Sequence, residues 1–305
     1  MNDFVDDLLA IASNDAPSLR TAEFPVSAHA ITTWCAEIGD DNPLYSPDRA
    51  EDQIAPMAML QTWAAPRTRA GKNRHPTVHA RVREAARAHG LSSIVATNYE
   101  LELHNDLKVN DLVTEHCWVH EVSDVKTTAL GEGHFVTIAF ALTNQDGTEI
   151  GTVRARTFYY RPRDGAQSPT RAAVVDERDS PETIRLTRTM VVAGALASND
   201  HEPVHHDHDV AHSQGLPDII VSIITSAGLV CAYSRRHWGI EHPRHLEMRL
   251  AAPAFPGDDL ILSGQTEGNV NVAPAIRVRA EHARGLHASG VVASAPAGEV
   301  SRAET

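Results

Sequence analysis

Residues 197–209 read ASNDHEPVHHDHD, and residues 38–46 read IGDDNPLYS. Set against each other at an offset of 160 positions (200 − 40), Asp200 falls on Asp40, Pro203 on Pro43 and His205 on Tyr45. A shared offset across three positions points to one structural plan used twice. The two copies differ where it matters for chemistry, because one ends in an imidazole and the other in a phenol.

The flanks repeat in the same order. Ile31, Trp34, Cys35 and Ile38 recur at i, i+3, i+4 and i+7 behind Ser27, which predicts a capped amphipathic helix before the first motif. MVVAGALAS (190–198) leads into the second motif. After the motifs come APMAMLQTWAAP (55–66) and PDIIVSIITSAGLVCAY (217–233), both without strand alternation and both read as the second helix of their half. The latter is apolar nearly all round, as a buried helix is. Strands close each half. Residues 98–122 alternate, and Val136, Ile138, Phe140 and Leu142 share one face before an Asp146-Gly147 turn. Residues 245–268 and 275–294 alternate likewise, with Ile276 and Val278 set between Arg277 and Arg279 ahead of an Arg284-Gly285 turn. The expected division is residues 1–161, a polar Pro-, Gly- and Ser-bearing linker at 162–182, residues 183–293, and a loose tail at 294–305.

Composition bounds the function. A formal charge of −13 argues against a general nucleic-acid binder, which needs an excess of basic surface. No apolar run approaches the roughly 20 residues that span a bilayer, and the acidic start, MNDFVDDLLAIAS, reads as a short amphipathic helix rather than a signal peptide. Three cysteines (Cys35, Cys117, Cys231) without close pairing suggest neither a disulfide framework nor a Cys-based zinc site. The expected location is cytoplasmic.

With these motifs in view, the chain resembles the MaoC-like hot-dog hydratases and dehydratases, whose motif is Asp-x-Asn-Pro-(Leu/Ile/Val)-His. DHEPVH keeps Asp200, Pro203, Val204 and His205 but has Glu202 for the usual Asn, while DDNPLY keeps Asp40, Asn42, Pro43 and Leu44 but has Tyr45 for the His. Residues 204–239 look like the catalytic subunit of actinobacterial steroid-side-chain enoyl-CoA hydratases, and residues 34–63 like its non-catalytic partner. The resemblance implies an α+β tandem hot dog, each half a curved antiparallel sheet wrapped around a central helix, with the non-catalytic half first. It also implies a hydro-lyase acting on an enoyl-CoA thioester, its acyl group bulky and steroidal.

Hydration needs a water at the β carbon, a base, and donors for the enolate oxygen. Asp200 and His205 can share that water, and acid-base help of this kind gives roughly a hundred- to ten-thousand-fold. The resemblance sets the oxyanion donors at the backbone of Ser222 and Ile223, where the family has a Gly near the helix start. Asp40 and Tyr45 then form a degenerate site whose loss makes room for a large substrate. Residues 67–87 carry seven Arg or Lys against one Glu; Arg67, Arg69, Lys72 and Arg74, with Arg235 and Arg236 after the second helix, could hold the phosphates of coenzyme A or form solvated faces.

Other readings compete. Asp200 could simply cap a helix terminus. His201, His205, His206, His208 and His212 with Asp207 and Asp209 offer metal-ligand chemistry, but in no standard zinc spacing. No metal and no cofactor is expected, coenzyme A being part of the substrate. A hot-dog thioesterase and a non-enzymatic acyl-CoA-binding protein remain alternative functions, the latter kept open by Glu202. Neither nucleic acid nor membrane is an expected partner; a homodimer and an association with a downstream steroid-degradation enzyme stay open.

Overall fold

The helix Ala28–Ile38 begins where the Ser27 hydroxyl accepts the Ala30 N–H at 3.3 Å, and it ends at Gly39 with φ of 69°. Its Ile31, Trp34, Cys35 and Ile38 are buried, as their spacing predicts. The second half starts alike, with Thr187 capping the helix Arg188–Ala197 and Asn199 past its end at φ of 56°.

The computed structural model describes residues 4–13, 18–64, 77–163, 180–270 and 273–294. In the first half the elements are α1 (Phe4–Ser13), β1 (Ser18–Thr21), α2 (Ala28–Ile38), α3 (Val78–Ala88), β2 (Ser93–Leu103), β3 (Thr114–Val122), β4 (Lys126–Thr127), β5 (Gly131–Thr143) and β6 (Glu149–Pro162). In the second they are β7 (Glu182–Arg185), α4 (Arg188–Ala197), α5 (His208–Ser213), α6 (Ile223–Trp238), β8 (His245–Leu250), β9 (Asp259–Val270), β10 (Ala273–His282) and β11 (Gly285–Ala293). Most of the expected linker and tail, residues 164–179 and 295–305, lies outside the described residues.

The strands form one antiparallel sheet in the order β1-β3-β5-β6-β2-β8-β11-β10-β9-β7, with β4 beside β5. Outward from the centre its two arms match, β2-β6-β5-β3-β1 against β8-β11-β10-β9-β7. This is the tandem hot dog. Each arm is a curved sheet, and the arms join where Asn98 to Glu102 of β2 pair with Arg249 to His245 of β8.

The central helix of the second half is α6, buried continuously from Ile224 to Ser234 and packed on β9, β10 and β11. The first half departs from the expected second α-helix at residues 55–66. There the chain forms a 3-10 helix, Met57–Thr62, packed against α6, β2 and β6. Pro56 and Pro66 bracket the run, and proline restricts the residue before it and donates no N–H, so a long helix cannot be set between them. The short edge strands β1 and β7 carry no alternation long enough to read in sequence.

Helix α2 crosses α6 closely enough to need glycine. A Cβ at Gly228 would lie 2.4 Å from Trp34 Cη2 and 2.9 Å from Ile38 Cδ1, both buried. Cys35, Cys117 and Cys231 are buried and form no disulfide, and among the described residues no helix is long and apolar enough to cross a membrane. Gly228→Ala should overpack this crossing and lower stability by about 1–3 kcal/mol. Urea unfolding of the two proteins measures it, and an unchanged midpoint would mean that the two helices can move apart without loss.

Candidate active site

The turn after α4 is built by its backbone. Asp200 N–H bonds to Ala195 O at 2.9 Å, Glu202 N–H to Asp200 Oδ1 at 3.3 Å, and His205 N–H to Glu202 O at 3.0 Å. Pro203 starts the 3-10 turn Pro203–His205 with its φ already restricted. The result sets Asp200 Oδ2 3.5 Å from His205 Nε2, with the two side chains only 14% and 11% exposed. His205 Nδ1 lies 2.8 Å from Ile220 O, a carbonyl that can only accept, so in the neutral ring Nδ1 carries the proton. Nε2 and the Asp200 carboxylate then face each other as two acceptors. A water has two O–H groups and can donate one to each.

The same turn is tied to the start of α6. Ile220 N–H bonds back to Val204 O at 3.1 Å, so two hydrogen bonds fix the dyad against the strand-like approach to the helix. Ser222 is the N-cap: its hydroxyl accepts the Thr225 N–H at 3.1 Å. The N–H groups of Ser222, Ile223 and Ile224, at the cap and in the first turn, have no carbonyl of the helix behind them and sit at its positive end. Dyad and donors thus belong to one bonded unit.

The first half completes the surroundings. Tyr99 of β2, fully buried, donates its hydroxyl to Gln61 Oε1 at 2.9 Å. Burial pushes that phenol's pKa up, and the nearby Asp200 charge pushes the same way, so it keeps its proton. Asn199 donates to Thr62 O at 3.2 Å, and Arg83 of α3 grips both Glu202 oxygens at 2.8 and 3.1 Å. Neither Tyr99, Gln61 nor Asn199 stands out in the sequence. Asn199 alone left a trace, because the 160-residue offset lays it on Gly39 and both residues adopt positive φ.

The first motif repeats the turn without the chemistry. Asn42 N–H bonds to Asp40 Oδ1 at 3.1 Å and Tyr45 N–H to Asn42 O at 2.9 Å. Arg235, from the end of α6, puts its Nε 3.4 Å from Asp40 Oδ1 and also pairs with Asp41. Burial raises the Asp40 pKa while Arg235 pulls it down. Tyr45 is buried, and burial followed by the Asp40 charge drives its phenol pKa far up. This pair holds no group able to act as a base with Asp40. A cleft of about 920 Å³ opens beside this motif, between α2 and β7.

The remaining sequence expectations fall unevenly. Arg236 grips Glu182 at 2.7 and 3.2 Å, and Arg235 pairs with Asp40 and Asp41, so each already has a carboxylate partner across the fold. Arg67, Arg69, Lys72 and Arg74 lie outside the described residues. The His-rich stretch is divided among local partners. His201 bonds Asn199 Oδ1 at 2.8 Å, His206 approaches His201 O, and His208 packs on His212 with ring centres 4.4 Å apart. Among the described residues no three His, Cys, Asp or Glu side chains converge as a metal site.

Comparison with known proteins bears on this arrangement. Residues 170–284 match the family described as "MaoC like domain", and residues 17–153 match "FAS1-like, dehydratase domain region". A Mycobacterium tuberculosis protein named "3-oxo-4,17-pregnadiene-20-carboxyl-CoA hydratase beta subunit" is 32% identical over 105 residues, 81% of its length and 34% of this chain. The chain belongs to the MaoC-like hydratase and dehydratase family. A Thermomonospora curvata protein named "Probable enoyl-CoA hydratase alpha subunit" is 32% identical over 157 residues, and the match spans about half of either chain, 49% of each. A MaoC-like dehydratase of Phytophthora capsici shares the fold at TM-score 0.69 and 14% identity, over 95% of this chain and 99% of that one.

For this MaoC-like tandem the Asp40–Arg235 contact gives a stability test. Arg235→Ala leaves a buried carboxyl without its guanidinium and should cost about 3 kcal/mol, part of which Asp40→Asn in the same chain should restore. Urea unfolding of the single and double variants reads both effects. Wild-type stability in Arg235→Ala would show the pair to be dispensable.

Proposed function

We propose that the chain is an enoyl-CoA hydratase for a bulky, steroid-side-chain class of α,β-unsaturated CoA thioester, with Asp200 and His205 as its water-activating dyad. The observation that carries this is the separation of Asp200 Oδ2 and His205 Nε2, 3.5 Å, with the ring turned by Ile220 O so that Nε2 presents a lone pair. Water donates to both. As its oxygen bonds to the β carbon, one proton passes to the dyad and the carbon–carbon π electrons move onto the thioester oxygen. N–H groups at Ser222 and Ile223, with the positive end of α6, stabilise that enolate. The dyad then returns a proton to the α carbon, and the balance is one water added.

The substrate class rests on two supports. The Mycobacterium tuberculosis relative is named for a steroid side-chain CoA hydratase. In this chain one of two motifs lacks its base, which leaves the first half free to shape a cavity. The basic residues Arg67, Arg69, Lys72 and Arg74 are the proposed phosphate contacts for coenzyme A, and no cofactor enters the reaction. A cytoplasmic location accords with three buried thiols and is part of the same proposal.

Asp200→Asn and His205→Ala should each lower turnover by at least about a hundred-fold with the fold retained, since both groups position one water. Loss of enoyl absorbance follows the reaction, and a near-normal rate in either variant would remove the dyad. Binding energy from a large acyl group can orient the reacting carbons, so a steroid-side-chain enoyl-CoA should exceed crotonyl-CoA in kcat/KM by more than about ten-fold. Equal or faster hydration of crotonyl-CoA would overturn the steroid assignment alone.

A further inference from the structure

Residue 202 touches both members of the dyad through its main chain. Its N–H donates to Asp200 Oδ1 at 3.3 Å, and its carbonyl accepts the His205 N–H at 3.0 Å. Whatever fixes residue 202 therefore fixes the distance between the two bases. In the first motif that task falls to an amide: Asn42 Oδ1 caps the Leu44 N–H at 3.0 Å, and Asn42 Nδ2 donates across to Glu241 O at 2.8 Å. Glu202 does neither. It makes no side-chain cap on its own turn, and its carboxylate has no N–H to send across.

The two duties of that amide are taken by other residues. The tether to the opposite half moves to Asn199, whose Nδ2 donates to Thr62 O at 3.2 Å. Holding residue 202 itself passes to Arg83 of α3, whose two terminal nitrogens meet the two Glu202 oxygens at 2.8 and 3.1 Å. A bidentate guanidinium–carboxylate pair fixes direction as well as distance, which a single ammonium contact does not. Both partners are partly open to solvent, the side chains 34% and 47% exposed, so the contact is poorly suited to supporting the fold as a whole.

We propose that Arg83, a residue of the half without a working motif, is a positioning residue for the dyad: its grip on Glu202 holds Asp200 and His205 at the spacing that shares one water. The catalytic turn is then incomplete without the first half, which gives that half a task beyond shaping the cavity. The inference rests on the hydratase reading for its kinetic consequence, but its structural consequence can be read without substrate.

Three variants of the full chain test it, assayed with crotonyl-CoA and with a steroid-side-chain enoyl-CoA. Arg83→Gln should lower kcat about ten-fold or more while KM stays within about three-fold and the thermal midpoint within about 2 °C, because an exposed pair adds little to stability. Arg83→Lys should fall between Arg83→Gln and wild type, since it keeps the charge and loses the fork. Arg83→Glu combined with Glu202→Arg should recover much of the lost kcat. Amide exchange across residues 200–206 should quicken in Arg83→Gln whether or not substrate is turned over. Wild-type kcat in Arg83→Gln, or failure of the charge swap to recover activity, would overturn the proposal. So would a raised KM with kcat intact, which would mean that the guanidinium meets the substrate directly. If wild type hydrates neither ester, the hydratase reading falls, and the exchange measurement still decides whether Arg83 holds the turn.

Discussion

The ladder between β2 and β8 is the contact on which the site depends. Its register, from Asn98↔Arg249 to Glu102↔His245, turns two curved sheets into one and fixes which face of each half meets the other. Each motif is thereby laid against the opposite half's central segment. Asn199 and Glu202 reach Thr62 and Arg83 of the first half, and Asn42 and Asp40 reach Glu241 and Arg235 of the second. A one-residue slip of this ladder would reverse every side chain on β2 and withdraw Tyr99 from the dyad.

The two turns show that geometry alone does not make a site. Both return a main-chain N–H to the Asp carboxylate and both close with a 3-10 turn at proline. What separates them is the environment of the carboxylate. Asp40 is answered by the Arg235 guanidinium and a buried phenol, whereas Asp200 faces an imidazole whose far nitrogen is already occupied. A carboxylate matched to a fixed cation has little reason to draw a proton from water. One facing a neutral base shares that task.

Much of this was written in the chain. The helix faces of α2 and α6, the hairpin turns, the Ser27 cap and the duplicated motif follow from periodicity, capping preference and a single offset, and the tandem hot dog was implied by the family resemblance that the motifs carry. The strands within residues 98–122 were legible because burial alternates along them, at Tyr99, Leu101 and Leu103 of β2 and at Glu115, Cys117 and Val119 of β3. The second helix expected in the first half was not, because apolar content over a short run does not distinguish an α-helix from a 3-10 turn, and the bracketing prolines decide it.

By itself the sequence singled out two related motifs as candidates for chemistry, one pairing Asp200 with His205 and the other Asp40 with Tyr45. The tertiary structure decided what those residues meet. Arg235 and Arg236, which read as phosphate ligands or solvated residues after the second helix, face carboxylates 194 and 54 residues away, because α6 ends where the first motif and β7 are packed. Arg83 and Tyr99, ordinary in their own segments, stand near Asp200 because the seam carries the first half onto the second. Local patterns record propensity and burial, which are properties of neighbours along the chain. Ion pairs and hydrogen bonds across a hundred residues depend on how the sheets join, and no single segment encodes that.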